Sequence, residues 1–134
     1  MRTEVSTLAV SPFCEGYLRR RCVLVVDDDP DQGVTLGLLL REAGHRVEAA
    51  TNALYALTIA AEFTAEFVFL DIGLPAMNGY EVLARLKKRC PQARFFAITG
   101  RTETETRAKA MAAGFDGYFK KPLDVAAIKE LLQH

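Results

Sequence analysis

Two rhythms of apolar and polar residues alternate from Cys22 to the end of the chain. Short apolar runs such as "VLVV" and "FVFL" have the length and branching of buried strands. They predict strands at Cys22–Val26, Arg46–Ala50, Glu66–Leu70, Arg94–Ile98 and Gly117–Phe119. Between them, apolar positions recur three and four apart, the spacing of a helix with one apolar face. Asp29 can cap the first helix, with Pro30 at its first position and Gly44 just past its end, so it should run to about Ala43. Another begins after the turn "AMNG" and aligns Val82, Leu83 and Leu86, and a last one starts from Asp124 and aligns Val125, Ile128 and Leu132. Strands alternating with helices predict an α/β fold: a doubly wound, five-stranded parallel sheet in the order 2-1-3-4-5, with helices on both faces. Residues 1–20 show no sustained period and end in basic residues, which reads as a loosely ordered leader with at most a short helical turn. The folded domain is placed at 21–134.

Composition narrows the picture. A chain of 134 residues, half of them apolar, suits one domain around one core. Seventeen basic and seventeen acidic residues cancel, so the whole-molecule field favours neither nucleic acid nor an anionic membrane surface. Cys14, Cys22 and Cys90 have neither metal-ligand spacing nor an even count, and they read as reduced thiols in a cytoplasm. No apolar run reaches the roughly 18 residues of a membrane span, and the first residues lack the apolar stretch of a secretory signal.

The candidate chemistry is local. Asp27 and Asp28 follow strand 1, and Asp71 follows strand 3 in "FVFLDIGLP". In the predicted order strands 1 and 3 are neighbours, so three carboxylates meet at the carboxyl edge beside the topological switch point, where such sheets bind ligands. Carboxylates held that close must take up protons or recruit a cation, and hard oxygen ligands favour magnesium. Thr99 arrives on the same edge after strand 4 in "FFAITG", and Lys121 after strand 5 in "YFKKPL". A metal, an ammonium and a hydroxyl around one nucleophilic carboxylate are what phosphoryl transfer requires, and an aspartate nucleophile would become an acyl phosphate.

These residues resemble the receiver domains of two-component response regulators over essentially Cys22 to Leu132. The family's acidic pair is matched by Asp27 and Asp28, its phosphoacceptor and the proline four positions on by Asp71 and Pro75, its Ser or Thr by Thr99, and its Lys-Pro by Lys121 and Pro122. Tyr118 matches the aromatic switch position. The resemblance implies that Asp71 accepts a phosphoryl group from a phosphohistidine on a histidine kinase or histidine phosphotransfer protein. It implies magnesium held by Asp28, Asp71 and the main-chain carbonyl of Gly73, with Asp27 acting through water. It also implies that Thr99 moves inward on phosphorylation and Tyr118 follows, altering the face of strand 4, helix 4, strand 5 and helix 5. The chain would then be a signalling switch that catalyses only its own phosphorylation and dephosphorylation, cytoplasmic, without nucleic acid or membrane as partner of this domain, its downstream effector unknown and a dimer an open option.

Three positions depart from the pattern or tune it. Gly100 stands where the family most often has alanine, and Gly73 and Arg101 occupy positions that in the family set the lifetime of the phosphorylated form. The wording of "LDIGLPAMNGYEV" and "ITG" looks more like receivers attached to hybrid kinases than like those of DNA-binding regulators. With no effector following helix 5, the chain reads as either a stand-alone receiver or a piece of a longer protein.

Simpler roles compete for several residues. Asp29 and Asp31 read as a cap and a first-turn acid, Lys120 as a solvated strand residue, and the arginines at 19–21 as solvated charges. Taken alone, Tyr118 reads as a half-buried aromatic, and His45 and His134 as surface residues. The alternative function is a small magnesium-dependent phosphohydrolase with an aspartate nucleophile, similar to the haloacid dehalogenase superfamily, although nothing after Lys121 beyond Asp124 and Glu130 supplies that superfamily's late acidic motif. A flavin or nucleotide binder is disfavoured because no glycine-rich loop follows strand 1 and its aspartates would repel phosphates.

Overall fold

The computed structural model describes residues 20–73, 78–100 and 104–134, the last range without the side chains of 104 and 105. The elements in chain order are β1 (Cys22–Val26), α1 (Pro30–Glu42), β2 (Arg46–Ala50), α2 (Ala53–Ala60), β3 (Phe67–Asp71), α3 (Gly79–Arg89), β4 (Arg94–Thr99), α4 (Thr104–Ala113), β5 (Gly117–Lys120) and α5 (Val125–Leu132). All five strands run parallel in the order β2-β1-β3-β4-β5, the predicted doubly wound arrangement. Residues 1–19 of the expected leader, Cys14 among them, lie outside the described residues, as do Pro75 and Arg101.

Alternation along the strands divides the core. Leu24, Val26, Val68, Leu70, Phe95 and Ala97 project to one face, where α2, α3 and α4 cover them through residues such as Ala56, Leu83 and Ala110. Val23, Val25, Phe67, Phe69, Phe96 and Ile98 project to the other, beneath Leu36 and Leu40 of α1 and Ile128 and Leu132 of α5. A strand buried on both faces can be apolar at every position, which is why "VLVV" and "FVFL" run without a polar break.

The helix ends follow their local chemistry. Asp29 accepts the Asp31 N–H at the start of α1, and Asp124 accepts the Ala127 N–H at the start of α5. Gly44, at φ +102°, turns the chain out of α1. Gly79 opens α3 so close to the chain leaving β3 that a Cβ there would lie 2.6 Å from the Ile72 Cα. Several boundaries differ from expectation by one residue: β3 begins at Phe67 and includes Asp71, β4 runs on to Thr99, β5 runs on to Lys120, and α1 ends at Glu42 with Ala43 as its cap.

One expectation is corrected. His45 is a buried residue, 4% exposed, and not a surface one. After Gly44 its N–H returns to the Leu40 carbonyl, and its Nδ1 accepts the Arg21 backbone N–H at 3.0 Å. A partner 24 positions away draws the ring inside, and periodicity cannot register that. Burial, reinforced by the Arg21 charge, lowers its pKa below the usual 6.5. Its proton therefore binds more readily in the unfolded chain, so its contribution to stability is complete above the ordinary histidine pKa and declines as pH falls below it. Between about pH 7.5 and about pH 5.5, the wild type should lose more melting temperature than His45→Gln, which keeps an acceptor for Arg21. Parallel losses in the two proteins would refute the assignment.

Candidate functional site

Four strands deliver the predicted residues to one edge. Asp27 directly follows β1, where its N–H donates to the Ala50 carbonyl of β2, and it is 2% exposed. Its Oδ1 accepts the Asp29 N–H at 2.9 Å, so the carboxylate is aimed by the turn that starts α1. Asp28 next to it is exposed. Asp71 closes β3, buried at 7% exposure, and its Oδ1 accepts the Gly73 N–H at 2.8 Å. Carboxylate oxygens of Asp27, Asp28 and Asp71 all lie within 4.8 Å of one another. The sheet order that makes β1 and β3 neighbours produces this convergence.

Lys121 supplies the opposing charge. After β5 its backbone N–H donates to the Thr99 carbonyl, and its Nζ lies 3.0 Å from Asp71 Oδ2 and 3.3 Å from Asp27 Oδ2. The sequence marked Lys121 as a site cation. That it bridges both buried carboxylates emerges only from the fold, since the partners stand 50 and 94 positions away. Burial opposes its charged form, yet the hydrogen bonds and charges of Asp71 and Asp27 prevail and its pKa rises. Asp27 is also pushed up, first by burial and further by the Asp71 charge, against the Asp29 N–H and Lys121.

Thr99 ends β4 and is buried at 4% exposure. Tyr118 lies beside Ala97 in the β4–β5 register, and Thr99 stands two residues beyond Ala97, so all three side chains leave the same face of the sheet. Tyr118 is half-buried against the core on the α2–α4 side, whereas Lys120 is exposed as expected. Asp29 acts as the cap and Asp31 sits in the first turn of α1. The structure thus gathers Asp27, Asp28, Asp71 and Lys121, with Thr99 on the adjacent strand end.

The donor set fits a hard divalent cation. Three carboxylates against one ammonium leave two negative charges uncompensated when all are ionised, and oxygen-only ligands of this kind suit magnesium or calcium. The two buried acids also differ in surroundings, and the shift at Asp27 follows from its deeper burial and the charge beside it.

Comparison with known proteins agrees with this geometry. A family model described as response regulator receiver domain matches residues 23–133. A transcriptional regulatory protein, KdpE, from Mycobacterium tuberculosis is 37% identical over 75% of this chain, which spans 44% of that regulator's length. A response regulator from Burkholderia pseudomallei, solved with a phosphorylated aspartic acid, a calcium ion and citrate, is 32% identical, with a TM-score of 0.77 over 84% of this chain and 66% of its own. A CheY-like receiver domain protein from Methanospirillum hungatei is 30% identical, with a TM-score of 0.75 over 85% of this chain and 94% of its own. No helix among the described residues is long and apolar enough to cross a membrane. With its fold, its acidic edge and the match across residues 23–133 in agreement, the chain belongs to the response regulator receiver domains of two-component signalling.

Proposed function

We propose that the unit at 21–134 is a phosphoacceptor switch in which Asp71 takes a phosphoryl group from a phosphohistidine on a histidine kinase or phosphotransfer protein. The observation that carries this reading is the Lys121 ammonium set between two buried carboxylates, 3.0 Å from Asp71 and 3.3 Å from Asp27, at the β1–β3 switch point. An Asp71 oxygen bonds to phosphorus while the P–N bond of the donor breaks. The bond pair returns to the imidazole nitrogen, which takes up a proton. Lys121 would move from the carboxylate to a phosphoryl oxygen, and the Thr99 hydroxyl would donate to another. Asp28, Asp71 and the Gly73 carbonyl would hold magnesium, with Asp27 acting through water. Bound there, magnesium supplies charge neutralisation on the transferring oxygens. The aspartyl phosphate and calcium of the Burkholderia pseudomallei relative support the same reading here.

Tyr118 then follows Thr99, and the altered surface of β4, α4, β5 and α5 is the output, through binding and not through a released product. The reading places the protein in the cytoplasm, with residues 1–20 as a leader outside the switch unit.

Intact mass after incubation with magnesium and a small acyl-phosphate donor tests the assignment. One added phosphoryl group is expected on the wild type and none on Asp71→Asn. Labelling of Asp71→Asn to the same extent would sink it, and rapid release of phosphate from generic phosphate esters would favour a phosphohydrolase instead.

Asp27 gives a separate test. Its raised pKa means that ionisation of Asp27 is unfavourable in the folded, metal-free protein, a penalty present above that pKa and absent once pH falls below the ordinary carboxylate range. In chelator, Asp27→Asn should melt above the wild type at neutral pH and lose the advantage on acidification, while its magnesium affinity falls about 10- to 100-fold. Equal melting temperatures at neutral pH would show that the site carries no such strain.

A further inference from the structure

The helix α4 is held unlike its neighbours. Of its described side chains, residues 106–113, only Ala110 is buried, whereas α3 buries Gly79, Val82, Leu83 and Leu86. Two cations on α4 compensate. The Lys109 ammonium lies 5.1 Å from the Tyr80 ring centre, and the Arg107 guanidinium lies 5.8 Å from that of Tyr118. The two rings are not equivalent. Tyr80 belongs to α3 and also meets Phe115 edge-on at 6.2 Å. Tyr118, as half-buried as Tyr80, stands on β5 beside Ala97, on the face that Thr99 also shares.

We infer that Arg107 is a positioning residue, a latch that holds the Tyr118 ring against α4 in the resting protein and releases it when the ring moves toward Thr99. The trigger rests on the phosphoacceptor reading, whereas the resting contact does not. A ring cannot lie over the guanidinium of α4 and also occupy the space beside the end of β4, so the two positions compete. An exposed cation–π contact biases such a competition by about two- to fivefold, enough to tune a switch without locking it. Among the described side chains of α4, loss of the contact leaves Ala110 and Lys109 as its holds, which is how a change at Asp71 would reach the surface of this helix.

Fluorine NMR of the full chain labelled with 3-fluorotyrosine tests the latch, because the four tyrosines give separable signals and Tyr118→Phe identifies the one that matters. In the unphosphorylated protein, Arg107→Ala should move the Tyr118 signal toward its position in the phosphorylated wild type, and phosphorylation by the small donor should run about two- to fivefold faster. Arg107→Lys should restore most of the wild-type signal, and Lys109→Ala should leave it in place. If Arg107→Ala destabilises α4, Arg107→Gln keeps the stem and removes only the charge, with the same expected shift. A Tyr118 signal unmoved by loss of the Arg107 charge overturns the latch, whatever Asp71 does. A wild type that takes up no phosphoryl group overturns the phosphoacceptor reading alone, because the Arg107 and Lys109 variants still report on the resting contact.

Discussion

Everything at the carboxyl edge follows from one electrostatic conflict. Two buried carboxylates within 4.8 Å of each other repel by roughly 3 kcal/mol at an effective dielectric constant of about 20, and the exposed carboxylate of Asp28 adds to the field. A single ammonium at 3.0 Å and 3.3 Å outweighs the buried pair's repulsion because it lies nearer to each acid than they need lie to one another. It does not balance three acids. The remaining negative charge can be relieved by a proton, toward which burial first and the Asp71 charge further push Asp27, or by a cation. Both outlets stay open, so the site is not a closed ion pair.

The sheet makes that conflict unavoidable. Parallel strands put all their carboxyl ends on one edge, and the reversal of strand order between β1 and β3 opens the crevice there. The apolar runs that precede Asp27 and Asp71 are buried on both faces, with Val23 to Val26 and Phe67 to Leu70 at most 1% exposed. The acids therefore sit at the end of the most rigid part of the molecule. Phe69 stacks on Phe96 and tilts against Phe119 on the α1–α5 face, which ties β3, β4 and β5 together just below the residues that act.

Much of this is legible in the sequence because it is written in short-range terms. The periods of apolar residues and the caps at Asp29 and Asp124 specify the elements, the parallel fold follows from their alternation, and the ends of the strands then name Asp27, Asp71, Thr99 and Lys121. What escapes is any property set by a partner distant in the chain. His45 looks like a solvated residue after a turn until the Arg21 N–H reaches it. Lys121 is legible as a site cation, but its bridging of both Asp27 and Asp71 is not, and the contact of Arg107 with the Tyr118 ring has no sequence signal.

A switch also needs an element that is not over-determined. A ligand or modification can shift an equilibrium only by the difference between its contacts in the two states, and a few charge-assisted hydrogen bonds amount to a few kcal/mol. Helices as deeply anchored as α3, with Val82 and Leu86 at 0% exposure, lie beyond such a bias, because moving them would open cavities that are individually as costly. The helix α4, with one buried alanine and two cations laid on rings among its described side chains, is within reach. The weak anchoring of α4 is thus the complement of the buried edge: under the proposed function, the edge would fix where charge arrives and the helix what that charge can move.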